Sequence, residues 1–259
     1  MNVNSWLKST SVNHLDAELI LAHVLGKNRT FLHAHPETEL SEAELAQIQA
    51  LSARRASGEP LVYILGSKEF YGRNFKVTPD TLIPRPETEA LIDIIKALKP
   101  QKILDVGTGS GCIAVTLALE LPQSTVNAVD ISPEAIVIAQ ENAQNLGATV
   151  NFALSNLLED TGQGYDLIVA NLPYVDAKWD WIGPELRYEP QIALFAEDGG
   201  LALIKRLIKT APAHLVEKGY LILEADPSQH QKIADFASDS FTQINQASDQ
   251  TYAVSLCRR

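Results

Sequence analysis

The stretch KILDVGTGSGCIAVTLALEL, Lys102–Leu121, decides the fold. KILDV is a short apolar run with the character of a buried strand, and CIAVTLALEL reads as a helix. Between them stand Gly107, Gly109 and Gly111, so the chain turns tightly from one element into the other. Strand, glycine turn and helix in that order open a βα unit.

The same alternation continues outwards. TVNAVD is a strand, SPEAIVIAQENAQNLG a helix, and TVNFAL and YDLIVAN two further strands. After an irregular stretch come the helix GGLALIKRLIKTAPAHLV, the strand GYLILEA, a helix near PSQHQKIADFA, and two short strands near FTQINQ and TYAVSLC. Alternation at this spacing implies an α/β fold, a mostly parallel sheet covered on both faces. The last two strands are separated by a short loop, so they should pair as a hairpin and leave one strand antiparallel.

Upstream the pattern is different. LDAELILAHVL places apolar residues at helical spacing, and SEAELAQIQALSARRASG opens with a Ser41–Glu44 capping box and closes at Gly58. The runs broken by Gly66 and Gly72 in LVYILGSKEFYGRNFKVTPD read as a β-hairpin. The expected division is a helical domain over 1–58, a hairpin linker over 59–78 and a sheet domain over 79–259.

Composition narrows the function. The hydrophobic fraction is 46% and the charged fraction 20%, as in a globular protein. No run approaches the about 20 apolar residues that span a bilayer, and MNVNSWLKST lacks the pattern of a signal peptide. A cytoplasmic protein without a membrane partner is expected. Cys112 and Cys257 offer neither a disulfide framework nor a zinc pattern, and His33 and His35 read as part of a solvated loop with no ligand partner at suitable spacing, so no metal is expected. Lys and Arg number 21 against 32 Asp and Glu, a net charge of -11 that disfavours a nucleic-acid partner.

Glycine turns at strand ends let backbone approach a ligand, and the following helix offers free N–H groups. In LDVGTGSGC the position of a third dinucleotide-type glycine holds Cys112, and Asp105 precedes the loop, which favours a ligand without a pyrophosphate. Asp130 ends the next strand, 19 positions after Gly111, where a carboxylate can accept hydrogen bonds from a ribose diol; it can also simply cap the helix beginning SPEA. Loop and acid point to an adenosine-bearing cofactor. Cys112 reads as packing.

YDLIVAN ends in Asn171-Leu172-Pro173-Tyr174, on the sheet edge that carries the glycine loop. A plain turn after a strand is the alternative. The cluster suits an amide or aromatic amine as nucleophile, whose delocalised lone pair must meet its electrophile in line. The Asn171 side-chain oxygen and the Leu172 carbonyl can each accept one N–H, stabilising positive charge on the nitrogen, and Tyr174 can stack on the planar group.

Glycine loop, Asp130 and Asn-x-Pro-Tyr together resemble the class I S-adenosylmethionine-dependent amino-methyltransferases, with a Rossmann-like seven-stranded sheet. FYGRNFKV, TLIPRPETEALID, LDAELILAHVLGKNRT and RRASGEPLVYILGSKEFYG are similar to the HemK/PrmC family, which methylates the glutamine of the Gly-Gly-Gln loop of peptide-chain release factors. The resemblance covers nearly the whole chain. It implies S-adenosyl-L-methionine held by Gly107, Thr108, Ser110, Gly109 and Gly111, with Asp130 on the ribose, Asn156 and Leu157 at the adenine and Asn171 beside the reacting group. It implies a substrate glutamine held by Asn171, Leu172, Pro173 and Tyr174. It also implies a helical domain that grips the release factor.

Leu172 stands where the family has proline, which keeps the carbonyl but loses the fixed φ; slightly looser positioning is expected. Asn-Leu-Pro-Tyr is also the form in rRNA adenine dimethyltransferases, so adenine N6-methylation of RNA or DNA is an alternative, as are a ribosomal-protein glutamine and a cofactor-binding regulatory module. Pro86 is expected to start a helix whose positive end Glu87 and Glu89 favour, and the resemblance implies that Arg85 lies beside the cleft. Trp179 and Trp181 are candidates for a lid or partner surface, with plain loop packing the favoured alternative for either alone, and Glu224 for a plain sheet-edge carboxylate.

Overall fold

The computed structural model describes residues 1–180, 182–243 and 252–259. Trp181, the end of FTQINQ and the start of TYAVSLC lie outside the described residues. The chain forms two compact units, Met1–Ser67 with Gly183–Tyr188, and Lys68–Ile182 with Glu189–Arg259.

The first unit contains α1 (Val3–Ser9), α2 (His14–Leu25), α3 (Arg29–Ala34), α4 (Glu42–Ala56) and α5 (Leu61–Leu65). Val3, Trp6, Ile20, Leu21, Leu32 and Ile48 form its core. The capping box at Ser41 and Glu44 is made in both directions. Segment 183–188 belongs to this unit: Glu185 pairs with Arg55 at 3.3 Å, and the Tyr188 hydroxyl donates to the Ser57 carbonyl at 2.9 Å.

Three expectations are corrected here. The helices α1 and α3 do not show in the apolar pattern, yet each is capped by an asparagine, Asn2 and Asn28. His33 therefore lies on a helix and not in a solvated loop, and its Nε2 stands 3.2 Å from Glu18 Oε1, a carboxylate distant in sequence. Thirdly, Leu61–Leu65 is helical, since Pro60 precedes a run that Gly66 ends in the left-handed conformation. The hairpin shrinks to β1 (Ser67–Phe70) and β2 (Arg73–Lys76).

The second unit carries α6 (Glu89–Leu98), β3 (Lys102–Val106), α7 (Cys112–Glu120), β4 (Thr125–Asp130), α8 (Pro133–Leu146), β5 (Asn151–Leu154) and β6 (Tyr165–Ala170). It continues with α9 (Gln191–Leu194), α10 (Ala202–Thr210), β7 (Leu215–Glu224), α11 (His230–Ala237), β8 (Phe241–Gln243) and β9 (Ala253–Arg258). The seven-stranded sheet has the order β5-β4-β3-β6-β7-β9-β8. The strands from β5 to β7 pair parallel, and β9 runs antiparallel to both β7 and β8. Mostly parallel sheet and terminal antiparallel pairing agree with the sequence pattern. The helix expected to run through Pro212 stops at Thr210, and the following strand starts earlier, at Leu215; Pro212 sits in a 3-10 turn, the proline having no N–H for a continuing helix.

Alternate residues of each central strand face opposite layers. Ile103, Leu167, Val169 and Ile222 join one core with Leu91, Ile95 and Leu117. Leu104, Ile168, Leu221 and Leu223 join the other with Ile204, Leu207 and Ile233. Both faces are covered, so the strands read as continuous apolar runs. Among the described residues no helix is long and apolar enough to cross a membrane.

Candidate active site

Parallel strands end on one edge of a sheet, and there the loops after β3, β4, β5 and β6 converge. The strand order reverses at β3, which has β4 on one side and β6 on the other, leaving a crevice at that edge. A cavity of about 480 Å³ fills it. Gly107, Thr108, Gly109 and Ser110 line it, with Asp130, Asn156 and Leu157, and with Asn171, Leu172 and Pro173 opposite. Two sequence candidates are not on its wall. Gly111, with φ +80°, is the N-cap of α7, where a Cβ would lie 3.1 Å from the Ala139 backbone, so it lets α7 and α8 pack closely. Tyr174 packs against the core and its hydroxyl donates to Glu224 Oε1 at 3.2 Å.

Asp130 organises the loop as well as facing the cavity. Its Oδ2 accepts from Gly109 N at 2.8 Å and its Oδ1 from Ser132 N at 2.9 Å, while Ser132 itself caps α8. A carboxylate has about four acceptor sites, so two remain for a diol. The loop is held from behind by Asn142, whose Nδ2 donates to the Ser110 carbonyl at 2.8 Å. Beneath it lies Asp105, fully buried, accepting from the Thr108 hydroxyl at 2.7 Å. Burial pushes the Asp105 carboxyl up to about 7, against the pull of the Thr108 and Ala114 hydrogen bonds. Burial likewise pushes the Cys112 thiol up to about 12, so it is no nucleophile although it lines the cavity.

On the opposite wall, β6 and β7 pair with Ala170 beside Leu223, so the next residues, Asn171 and Glu224, come side by side. Asn171 Nδ2 donates to Glu224 Oε1 at 2.9 Å and to the Thr88 hydroxyl at 3.2 Å. Glu224 is 1% exposed; burial raises its carboxyl to about 7, while hydrogen bonds from Thr88, Tyr174 and Asn171 oppose the rise. Burial and the neighbouring Glu224 push the Tyr174 phenol well above its ordinary range. Glu224 is more than a sheet-edge carboxylate. Its signal was its place at the end of the apolar run YLIL, on the same edge as Asn171.

Other positions fall as follows. Arg85 lines the cavity and donates to Glu189 Oε1 at 2.5 Å. Pro86–Thr88 is a 3-10 turn leading into α6. Glu89 accepts from Tyr71 N at 2.8 Å, in the hairpin. Trp179 closes a turn onto the Asp176 carbonyl at 3.0 Å. Ser155, Leu203 and Arg206 line the cavity and were not singled out in the sequence, the last two because α10 reaches this edge only through the fold.

The cavity suits an adenosine-bearing ligand. A Cβ on Gly109 would meet no atom within 4 Å, so the loop backbone borders open space at that point. The buried hydroxyl of Ser110 on the wall lacks a hydrogen-bond partner in the protein, leaving a polar atom for a ligand that carries amine and hydroxyl groups. Among the described residues no cluster of ligating side chains is arranged for a metal.

Sheet order, glycine loop, strand-end acid and Asn-x-Pro-Tyr together define an S-adenosylmethionine-dependent methyltransferase of class I. Comparison with known proteins narrows the class. Residues 5–66 match the family model described as PrmC N-terminal domain, and residues 86–182 that of the Methyltransferase small domain. A release factor glutamine methyltransferase from Koribacter versatilis is 45% identical over 86% of this chain and 84% of its own length. That from Escherichia coli strain K12 is 40% identical over 85% and 82%. The chain belongs to the family of release factor glutamine methyltransferases. Among solved structures, a methyltransferase from Pyrococcus furiosus shares the fold, with a TM-score of 0.55 at 16% identity over 83% of this chain and 97% of that one. A ribosomal protein L11 methylase from Lactobacillus delbrueckii has a TM-score of 0.50 at 28% identity over 68% and 80%.

Proposed function

We propose that this methyltransferase acts on the side-chain amide nitrogen of the glutamine in the Gly-Gly-Gln loop of a peptide-chain release factor. S-adenosyl-L-methionine supplies an electrophilic methyl group on a sulfonium, whose sulfur–methyl bond breaks as the methyl is transferred and which leaves as a neutral thioether. In this reading Gly107, Thr108, Gly109 and Ser110 hold its methionine and ribose part, Asp130 accepts from the ribose hydroxyls, and Asn156 and Leu157 flank the adenine. Gly111 contributes by packing α7. The observation that carries the reading is that Asn171, Leu172 and Pro173 share one cavity with the glycine loop and Asp130.

The work of the Asn-Leu-Pro-Tyr residues is electrostatic and positional. Asn171 Oδ1 and the Leu172 carbonyl accept the two N–H groups of the glutamine amide, which orients its lone pair towards the methyl group. As the N–C bond forms, positive charge grows on nitrogen between two acceptors fixed in place beforehand. Pro173 closes the wall, and Tyr174 stands behind it. A proton then leaves the methylated amide for solvent, so no general base is required. Leucine at position 172 keeps the carbonyl, and its side chain packs over the loop, with Cδ2 only 3.1 Å from where a Cβ on Gly107 would be.

The helical unit supplies grip that one extruded side chain cannot. The division into a helical domain over 1–58, a linker over 59–78 and a catalytic domain over 79–259 belongs to this proposal. So does a cytoplasmic location, since release factors act on the ribosome. The net charge of -11 speaks against direct nucleic-acid binding.

The test incubates the protein and Asn171→Ala with radiolabelled S-adenosylmethionine and three acceptors: a release factor, ribosomal proteins and ribosomal RNA. Label on the Gly-Gly-Gln glutamine, lost in the variant, is the expected result. Label confined to RNA or to a ribosomal protein refutes it.

A further inference from the structure

The buried carboxylate of Glu224 is hard to account for as a contribution to stability. It is 1% exposed, no cation among the described residues pairs with it, and its Oε2 has no hydrogen-bond partner. A carboxylate in that state costs stability. What it does have is two donors converging on its Oε1, Asn171 Nδ2 and the Tyr174 hydroxyl.

The arrangement around Asn171 is complete on one side. Its –NH₂ group has two hydrogens, and both are committed, one to Glu224 Oε1 at 2.9 Å and one to the Thr88 hydroxyl at 3.2 Å. Thr88 is 1% exposed, and its hydroxyl oxygen accepts from Asn171 Nδ2. Glu224 Oε1 accepts from both Asn171 Nδ2 and the Tyr174 hydroxyl, so it stays an acceptor whether or not Oε2 carries a proton, and a flipped amide would set Oδ1 against it. Side-chain amides otherwise have little intrinsic preference between their two ends. An Asn171 turned the other way would present N–H donors to a substrate N–H donor, a repulsive pair.

We propose that Glu224, with Thr88, is a positioning residue for the methyl transfer, holding the Asn171 amide in the one orientation that offers Oδ1 to the substrate nitrogen. The inference rests on the role given to Asn171 above. The acceptor on the far side of the amide also draws its N–H bonds outwards, which makes Oδ1 more negative where positive charge develops.

The experiment is a double-variant cycle on the full chain: wild type, Glu224→Gln, Asn171→Ala and both together, with kcat and KM for the acceptor and the cofactor Kd by calorimetry. Glutamine keeps the size of the side chain but can place an –NH₂ where an acceptor stood, so the Asn171 amide is free to turn. The expected result is a fall in kcat of about 10- to 100-fold, the usual cost of losing a group that orients a site residue. Cofactor Kd and acceptor KM should stay within about twofold, and Glu224→Gln should cost nothing further in the Asn171→Ala background. A kcat equal to wild type, or losses that multiply in the double variant, overturns the proposal. Should Glu224→Gln fail to fold, Thr88→Val removes the second acceptor and enters the same cycle, where an unchanged kcat or multiplying losses again overturn the proposal. If the wild type labels RNA or a ribosomal protein and no release factor, the substrate reading fails separately, and the cycle on that acceptor still decides the role of Glu224.

Discussion

Gly200 lies directly under the Tyr174 carbonyl: a Cβ added to it would sit 1.9 Å from that oxygen and 2.6 Å from Gln229 Nε2. The same Gln229 nitrogen donates to the Tyr174 carbonyl at 2.9 Å and to the Gly199 carbonyl at 2.8 Å. The far end of the Asn171–Tyr174 loop thus rests on glycine backbone and is pinned by a side chain only 3% exposed.

Gly200→Ala therefore has to displace the loop itself. The residue also sits at φ +84°, where an L side chain costs about 1–2 kcal/mol before any clash is counted. Adding an overpacking penalty of about 1–3 kcal/mol, denaturant unfolding should show a loss of about 2–5 kcal/mol. Methyl transfer should fall much further than cofactor binding, because the glycine loop is untouched. A variant with wild-type kcat would show that the loop does not depend on this contact.

Asn142 links the hairpin to the glycine loop. Beyond its bond to Ser110, its Oδ1 accepts from Lys76 N at 2.7 Å and its Nδ2 donates to the Lys76 carbonyl at 2.9 Å. Asn142→Leu keeps the volume but strands the buried Ser110 carbonyl, a cost of about 1–3 kcal/mol. The Lys76 groups lie on an exposed residue and recover water. Loss of stability together with weaker cofactor binding in calorimetry is expected. Weaker stability with unchanged cofactor affinity would mean the loop keeps its shape without the strut.

How much of this was legible beforehand follows from local physics. Strands β3, β4, β6 and β7 are buried on both faces, so they appear as apolar runs, and their order with the helices dictates the sheet. Asn171 was legible because a polar amide follows such a run abruptly. The helices α1, α3 and α5 were not, since their 7, 6 and 5 residues are too short for a 3.6-residue period to repeat clearly. The contact of Glu224 with Asn171 and that of Gly200 with Tyr174 were not legible, for a different reason. Glu224 meets Asn171 only through the register of β6 on β7, and Gly200 meets Tyr174 only through the path of the chain before α10. Gly111 shows the converse: it belongs to the glycine motif yet serves helix packing.

Asp130→Asn should be more damaging than the loss of one hydrogen bond. The amide can turn only one oxygen towards the two backbone donors at Gly109 and Ser132, so an –NH₂ faces one of these N–H groups. With the proposed ribose contact weakened as well, cofactor Kd should rise by about 10- to 100-fold, on the order of 1.4–2.8 kcal/mol. An unchanged Kd would remove Asp130 from the proposed cofactor site.

The pH dependence of stability without cofactor tests the buried acids. In the unfolded chain Asp and Glu side chains titrate near about 4. In the folded protein burial holds Asp105 and Glu224 at about 7. Between those values the folded chain keeps protons that the unfolded chain has lost, so the contribution of these groups is full below about pH 4, declines as pH rises towards 7, and is gone above it. Glu120 acts in the opposite sense, because Lys96 and Arg73 lower its pKa, so the total curve mixes both signs. The difference between wild type and Asp105→Asn isolates one group. That variant should gain on wild type by about 2–4 kcal/mol between pH 4.5 and 7.5 in urea unfolding, at about 1.4 kcal/mol per pKa unit. Two parallel curves would mean that Asp105 ionises as readily in the fold as out of it, and that the loop above it carries a full negative charge at neutral pH.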